Sequence, residues 1–247
     1  MNKVYDRVIG YSSLDLVEQS KLRRLVELNH ELIGRYLAPE AASPILVAGA
    51  GRGDEAGHVR DVFGCRTIGV DLHVDRLPRG PTPVELSLQR QDLHDLGFRD
   101  SSFGLVYCYH VLEHVSRPSE VLQEFSRVLK PNGMLFIGFP NKRRVVSYVG
   151  TSQRATILDK LKWNINDYGF RLRGEFTNEA GAHAGYAPEE FLAIAGSRFS
   201  SITSVTNQYM MLKYPRLGGV LKVLIRSRLS EIAFPSHYYL CGMRTAP

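Results

Sequence analysis

"ILVAGAGRGDEAG" occupies residues 45–57. Four apolar residues run into glycines at 49, 51 and 53, and an acidic pair, Asp54 and Glu55, follows. The run reads as a short buried strand. Residues 54–63 read as a helix ended by Gly64. Glycine at a strand end lets the backbone turn tightly and lets a ligand come close. The first backbone N–H groups of the next helix are free donors with a positive dipole behind them. Two ligand classes use this arrangement, dinucleotides and S-adenosylmethionine. The dinucleotide fingerprint is GxGxxG, whose third glycine packs helix on strand. Here the spacing is GxGxG, and Asp54 stands where that glycine would be. A carboxylate there opposes a pyrophosphate; a sulfonium cofactor with an ammonium group has no phosphate to repel. A tight strand–helix turn with no ligand would have the same spacing.

Outward from this stretch, strand and helix alternate. Residues 66–71, 84–91, 103–109 and 134–140 read as strands. "SEVLQEFSRVLKPNG" reads as a helix with Val121, Leu122, Phe125, Val128 and Leu129 on one face and Pro131-Asn132-Gly133 as its stop. This alternation over 45–140 predicts an α/β fold, a doubly wound parallel sheet with helices on both faces. Ligands then bind beyond the carboxyl ends of the strands, where strand order reverses. Residues 14–37 read as a preceding helix. Residues 188–199 read as a helix, 201–206 as a strand, 218–229 as a basic apolar helix and 237–244 as a last strand. The last two strands are expected to close the sheet as an antiparallel pair. Residues 141–185 are basic and aromatic with weak periodicity, and read as an inserted lid.

Two strand ends carry further chemistry. Asp71, ending "TIGVD", lies 18 residues after Gly53, which suits a carboxylate accepting from two ribose hydroxyls. Asp92, in "RQDLHDL", can accept from an adenine amine, and Leu93 offers a backbone N–H and an apolar face. Taken singly, each aspartate also fits an ordinary strand end.

"ILVAGAGRG", "TIGVDL", "RQDLHDLGFRDSSFGLVYCYHVLEHV" and "EVLQEFSRVLKPNGMLFIGFPN" together resemble the class I S-adenosylmethionine-dependent methyltransferases, in the small-molecule branch with the VLEHV and LKPNG signature. The resemblance covers residues 45–141 and, more loosely, 183–205. It implies a Rossmann-like, seven-stranded methyltransferase fold in one domain. Residues 1–40 would be an N-terminal helical segment, 45–140 the cofactor-binding core, 141–185 the lid and 186–247 the rest of the sheet. It implies S-adenosyl-L-methionine as cofactor and S-adenosyl-L-homocysteine as product. Gly49, Ala50, Gly51 and Gly53 would line the methionine part, Asp71 and Leu72 the ribose, Asp92 and Leu93 the adenine, and Tyr109 and His110 the reactive methyl. Two positions depart from the pattern. Val47 replaces an acidic residue that helps hold the cofactor's amino-acid end, so Asp54 or Glu55 would have to substitute. Gly104 replaces an aspartate near the start of the fourth strand.

Methyl transfer from a sulfonium is an in-line displacement in which the protein supplies alignment and electrostatics. A hydroxyl acceptor of high pKa also needs a base. The candidates are His110, His114 one turn along "HVLEHV", and His183 ahead of the 188 helix; each could equally be structural. From 141 to 175 the cations Lys142, Arg143, Arg144, Arg154, Lys160, Lys162, Arg171 and Arg173 outnumber Asp159, Asp167 and Glu175, with Trp163, Tyr168 and Phe170 interleaved. This suits a lid over an anionic or phenolic small molecule, or a solvated basic surface. Nucleic acid ranks below a small molecule because no RNA-binding module is appended. The 218–229 helix suits packing on the sheet before a membrane surface or half of a homodimer contact.

Over 247 residues the net charge is +6, a mild excess. The three cysteines, Cys65, Cys108 and Cys241, form no CxxC pair. They predict neither a disulfide framework nor a metal site, and fit a reducing cytoplasm. The N-terminus has no apolar core of signal-peptide length. No apolar run approaches the roughly 18 residues of a membrane span. The leading expectation is methylation of a small molecule on oxygen, nitrogen or carbon. The alternatives are an NAD(P)-dependent Rossmann oxidoreductase, which Asp54 disfavours, and a non-catalytic S-adenosylmethionine-binding protein.

Overall fold

The 45–48 run forms strand β1 (Ile45–Ala48), with all four residues buried. In this computed structural model the described residues are 16–74, 84–147, 156–178 and 183–243. The 78–83 loop, residues 14 and 15, Arg154 and Arg244 lie outside them. Around β1 stand β2 (Thr67–Asp71), β3 (Leu86–Arg90), β4 (Phe103–Tyr109), β5 (Leu129–Pro140), β6 (Ser201–Ser204) and β7 (Ser236–Gly242). The seven strands form one sheet in the order β3-β2-β1-β4-β5-β7-β6. β1 to β5 run parallel, while β7 pairs antiparallel with both β5 and β6. Strand order reverses between β1 and β4. A crevice beyond their carboxyl ends is where such sheets bind ligands.

One face of the sheet is covered by α3 (Pro118–Val128) and α5 (Pro188–Ala195). Val121, Leu122, Phe125 and Val128 of α3 are fully buried, and each such burial contributes about 1.5–3 kcal/mol. The other face is covered by α1 (Leu16–Ile33), α2 (Asp54–Phe63), α6 (Thr206–Lys213) and α7 (Gly218–Arg226). Both α2 ends carry left-handed glycines, Gly53 and Gly64, a conformation that costs glycine little.

The sequence placed the end of α3 too late. The helix stops at Val128, and residues 129–133 already belong to β5. Pro131 has no N–H for a helical bond and pushes the residue before it into extended backbone, so the stop acts upstream of the proline. β3 also ends at Arg90, ahead of Asp92.

Within 141–185, read from sequence as a lid of weak periodicity, a long helix forms, α4 (Ile157–Leu172). Thr156 and Asp159 cap it reciprocally: Asp159 N–H donates to Thr156 Oγ1 at 3.1 Å, and Thr156 N–H to Asp159 Oδ2 at 2.9 Å. Its apolar residues Ile157, Leu158, Leu161 and Ile165 are exposed, whereas Asp167 is buried. The helix thus turns an apolar stripe outward, opposite to the usual arrangement. α6 was also missed, and β6 stops at Ser204, short of it.

The Gly104 departure has a packing cause. A Cβ there would sit 1.8 Å from the Ala41 carbonyl oxygen, in the 3-10 turn Pro39–Ala42. No side chain fits at this point of β4.

Candidate functional site

The loop after β1 makes three left-handed turns, with φ of +70° at Gly49, +51° at Gly51 and +88° at Gly53. Two of these glycines are packed. A Cβ at Gly49 would lie 2.4 Å from Val111, and one at Gly53 2.4 Å from Leu88. A Cβ at Gly51 would meet nothing within 4 Å, so its backbone faces open space. Ala50 N–H donates to the Val70 carbonyl at 2.9 Å, which ties the loop to β2.

Asp71 closes β2 and joins this loop. Its Oδ2 accepts from Gly51 N–H and its Oδ1 from His73 N–H, both at 2.9 Å. Leu72 beside it is exposed. Asp92 is exposed; its Oδ1 accepts from His94 N–H at 2.9 Å and lies 2.6 Å from His94 Nδ1. The His94 backbone and ring together hold the Asp92 carboxyl below its usual range. The Leu93 side chain is buried in the layer beneath α3.

At the end of β4 the chain turns at His110 with φ +54°. A non-glycine residue in this region is strained, and such residues gather at functional sites. His110 N–H donates to Gly138 O at 2.8 Å. The three histidines singled out in the sequence come together here around Glu113, which sequence reasoning missed. His110 Nδ1 is 3.3 Å and His114 Nε2 3.9 Å from Glu113 Oε1. The His183 ring meets His114 edge-on, with centroids 4.7 Å apart. His183 too has a positive φ, +46°. Burial pushes the His183 pKa down, and the charge on His114 adds to it. Glu113 is buried, and its Oε2 accepts no hydrogen bond among the described residues. His110 and His114 do not share a helical face as expected: Leu112–His114 is a 3-10 turn, and the two rings flank the carboxylate instead. The signal for Glu113 was its place three residues after His110.

Tyr109 ends β4 and touches the His110 ring edge-on, with centroids 4.6 Å apart. Its hydroxyl lies 3.1 Å from Tyr209 Oη of α6 and 3.5 Å from Tyr238 Oη of β7. Gly138 separates Tyr109 and Tyr238 across the strands. A Cβ there would strike the Tyr238 ring at 2.8 Å, so the glycine lets the tyrosines meet. Burial raises all three hydroxyl pKa values, which keeps them neutral donors.

The basic 141–175 segment is in part neutralised. Lys142 pairs with Glu190 at 2.5 Å, Arg143 with Glu189, and Arg173 with Glu175 at 2.8 Å. Arg144 is buried and pairs with Asp167 of α4 at 3.0 Å. It also donates to the carbonyls of Asn141, Ala184 and His183 at 3.0, 2.9 and 3.1 Å. Of these four only Arg144 is buried; Arg143 and Arg173 keep exposed side chains, so their pairs lie on the surface and contribute little. On α7, Leu221 packs inward while Val220 and Val223 are 60% and 65% exposed. Among the described residues no helix is long and apolar enough to cross a membrane, and no group of three His, Cys, Asp or Glu side chains is arranged to hold a metal ion.

The "Methyltransferase domain" family model matches residues 46–137. A protein of Mycolicibacterium smegmatis described as a "Probable S-adenosylmethionine-dependent methyltransferase" is 31% identical over 144 residues, 53% of this chain and 53% of that one. A ubiquinone biosynthesis O-methyltransferase of Xanthomonas axonopodis pv. citri is 27% identical over 159 residues, 61% of this chain and 66% of that one. The matches thus span about half to two thirds of these relatives' length. Among solved structures, the cyclase SpnF superposes with a TM-score of 0.53 at 13% identity, covering 97% of this chain and 86% of that one. Phosphoethanolamine N-methyltransferase 2 of Haemonchus contortus, in complex with S-adenosyl-L-methionine, gives a TM-score of 0.51 at 16% identity, covering 88% of this chain and 52% of that one. Likenesses this remote speak to fold and not to chemistry. Residues 46–137 thus match the methyltransferase-domain model, and the seven-stranded sheet around them has the Rossmann-like methyltransferase fold.

Proposed function

We propose that this protein transfers a methyl group from S-adenosylmethionine to a hydroxyl oxygen of a small, anionic or phenolic molecule. The observation that carries this reading is the open backbone of Gly51, pinned to Asp71 at the point where strand order reverses. A ligand can approach the Cα of Gly51, where the space a side chain would fill is open, and the Asp71 carboxylate beside it suits a ribose diol. Asp92 and the Leu93 backbone extend the same edge toward an adenine. The acidic first turn of α2, Asp54 and Glu55, opposes a dinucleotide pyrophosphate.

The bound cofactor would supply an electrophilic methyl on a sulfonium. The chain supplies the rest. An acceptor hydroxyl that takes this methyl would have to give up its proton, and that proton is what the chain must receive. The hydroxyl proton passes to His110. Glu113 accepts from Nδ1, which leaves the Nε2 lone pair for the acceptor; a carboxylate fixes the tautomer of a histidine base in this way. Tyr109, held by Tyr209 and Tyr238, walls the acceptor side. The segment 141–185 would cover the acceptor as a lid, with His183 bringing its edge to the histidines.

The ubiquinone-pathway relative acts as an O-methyltransferase, which agrees with a hydroxyl acceptor and a histidine base. The test is calorimetric titration with S-adenosylmethionine, S-adenosylhomocysteine and NAD, on the wild type and Asp71→Ala. Micromolar binding of the sulfur nucleosides alone, lost in the variant, is expected. A screen of hydroxylated aromatic acids with labelled cofactor then seeks the acceptor. Binding of NAD, or of neither nucleoside, overturns the reading.

A further inference from the structure

The cofactor's amino-acid end carries an ammonium, and β1 brings no carboxylate to the loop that would receive it. Its residues are Ile45, Leu46, Val47 and Ala48. The sheet register sets Val47 beside Tyr107 of β4, in the same core layer. A different acid reaches that place. Glu55 lies in the first turn of α2, two residues past Gly53. Tyr107 Oη donates to Glu55 Oε1 at 3.3 Å and accepts from Asn29 Nδ2 of α1 at 2.5 Å.

Resting on the methyltransferase reading above, we propose that Glu55, with Tyr107 and Asn29, forms the subsite that receives the ammonium of the cofactor, in place of an acid on β1.

Three observations converge on it. First, the cluster is polar where its surroundings are not: Val26, Val47, Ala56 and Phe136 share its layer. Second, its acceptors outnumber its donors. Asn29 is fully buried, and its Oδ1 has no partner among the described residues. An unsatisfied buried acceptor costs about 1–3 kcal/mol, and an ammonium brings three donors and no acceptor. Third, the neighbouring acid is already engaged. Asp54 Oδ1 accepts from Gln19 Nε2 of α1 at 2.8 Å, and Gln19 Oε1 lies 2.7 Å from His58 Nε2. Of the two acids in that turn, Glu55 is the one turned to the sheet.

Loss of water raises the Glu55 pKa from 4.5 to about 7, while the Tyr107 bond pulls it down. The titratable groups facing this region are Tyr107 from β4 and Tyr209 from α6, with Asp54 and His58 on α2 itself; Cys108, on the opposite face of β4, feels the Glu55 charge through the sheet. Arg23 and Glu27 of α1 act on His58. No cation is among the causes that set the Glu55 pKa. An arriving ammonium therefore supplies the missing charge and displaces a proton.

The test compares S-adenosylhomocysteine with 5′-methylthioadenosine, which lacks the amino-acid end. Both are titrated calorimetrically into the full chain at pH 6.0 and 7.5. With a pKa near 7, the competent carboxylate fraction rises about eightfold over that interval, and the affinity rises with it. The expected result is an approximately eightfold gain for S-adenosylhomocysteine and none for methylthioadenosine. Glu55→Gln is expected to remove the gain and weaken S-adenosylhomocysteine at least tenfold at pH 7.5, with methylthioadenosine binding unchanged. That unchanged binding also reports that the variant is folded. Equal S-adenosylhomocysteine affinity at the two pH values in the wild type overturns the inference, and this arm needs no variant. So does a Glu55→Gln protein that keeps the wild-type affinity and slope. Failure of the wild type to bind either nucleoside instead defeats the methyltransferase reading itself.

Discussion

The three loop glycines make a controlled experiment, because all share the left-handed backbone and only two are packed. Placing an L-residue in that conformation costs about 1–2 kcal/mol. At Gly51 this is the whole cost, since an added Cβ meets nothing within 4 Å. At Gly49 the Cβ would also press into both Cγ atoms of Val111, at 2.4 and 2.9 Å. A β-branched neighbour has little χ1 freedom with which to yield, and overpacking adds about 1–3 kcal/mol. For a chain of this size each kcal/mol lowers Tm by about 2–4 °C. Gly51→Ala should therefore lower Tm by about 2–8 °C, and Gly49→Ala by about 4–20 °C. Binding should separate them further. Gly51→Ala puts a methyl group into the space through which the ligand reaches the backbone, so S-adenosylhomocysteine affinity should fall at least tenfold in a folded protein. Thermal unfolding read by circular dichroism, followed by calorimetry on the same samples, decides it. Wild-type affinity in Gly51→Ala would refute the placement of the ligand against that loop. A Tm loss at Gly51 equal to that at Gly49 would refute the claim that its side is open.

Other outcomes follow from the same geometry. With an acceptor in hand, His110→Ala should lower turnover by about 10²–10⁴, the usual contribution of a positioned base, and leave S-adenosylhomocysteine affinity unchanged; undiminished turnover removes His110 from the base role. Gly104→Ala should abolish soluble folding or cost more than about 3 kcal/mol, because a Cβ 1.8 Å from a backbone oxygen has no flexible partner to move. Gly57→Ala, with nothing within 4 Å in α2, should gain about 0.5–1 kcal/mol, and chemical denaturation of the pair checks both. Buried His237, whose Nε2 has no partner among the described residues, has its pKa lowered from 6.5 to about 4, chiefly by burial. Its contribution is fully present above pH 6.5 and is lost as pH falls toward 4, about 3 kcal/mol in all. Glu55 acts in the opposite sense, its contribution being present below pH 4.5 and lost as pH rises toward 7. Denaturation between pH 4.5 and 6.5 should thus show stability falling with pH in His237→Phe and rising in Glu55→Gln, with the wild type between them; parallel slopes in all three would contradict both assignments.

The sheet was legible because its strands obey local rules. The β1 run, the glycine turn and the Pro118–Val128 helix each announce themselves by period and punctuation, and the parallel order follows from their alternation. What escaped was whatever depends on a distant partner. α4 carries its apolar residues outward and an aspartate inward, and partners across the chain hold it: Arg144 on Asp167, Ser147 on Asn164, and the carbonyls of Lys142 and Arg144 on Arg171. The histidines were visible as residue types, but Glu113 gained meaning only when the 3-10 turn set it between two of them. Tyr209 and Tyr238 stand on elements about 100 and 129 residues from Tyr109, a separation no periodicity records. Gly104 looked like a lost aspartate, and the Ala41 carbonyl shows that the space was never available.

The Arg144 network also bears on how an acceptor would be chosen. A buried guanidinium is costly unless its donors are met, and here they are met by Asp167 of α4, Ser147, and the carbonyls of Asn141, Ala184 and His183. Three separate stretches, the end of β5, the inserted helix and the turn before α5, are thereby fixed to one side chain. His183 belongs to the third stretch and meets His114, which flanks the same carboxylate as His110. Residues 156–172 are therefore linked to the proposed base through Arg144, His183 and His114. A change in α4 that displaced Asp167 would leave an uncompensated charge under the histidines. Acceptor selectivity and turnover should consequently vary together across substitutions in 156–172 that release Asp167.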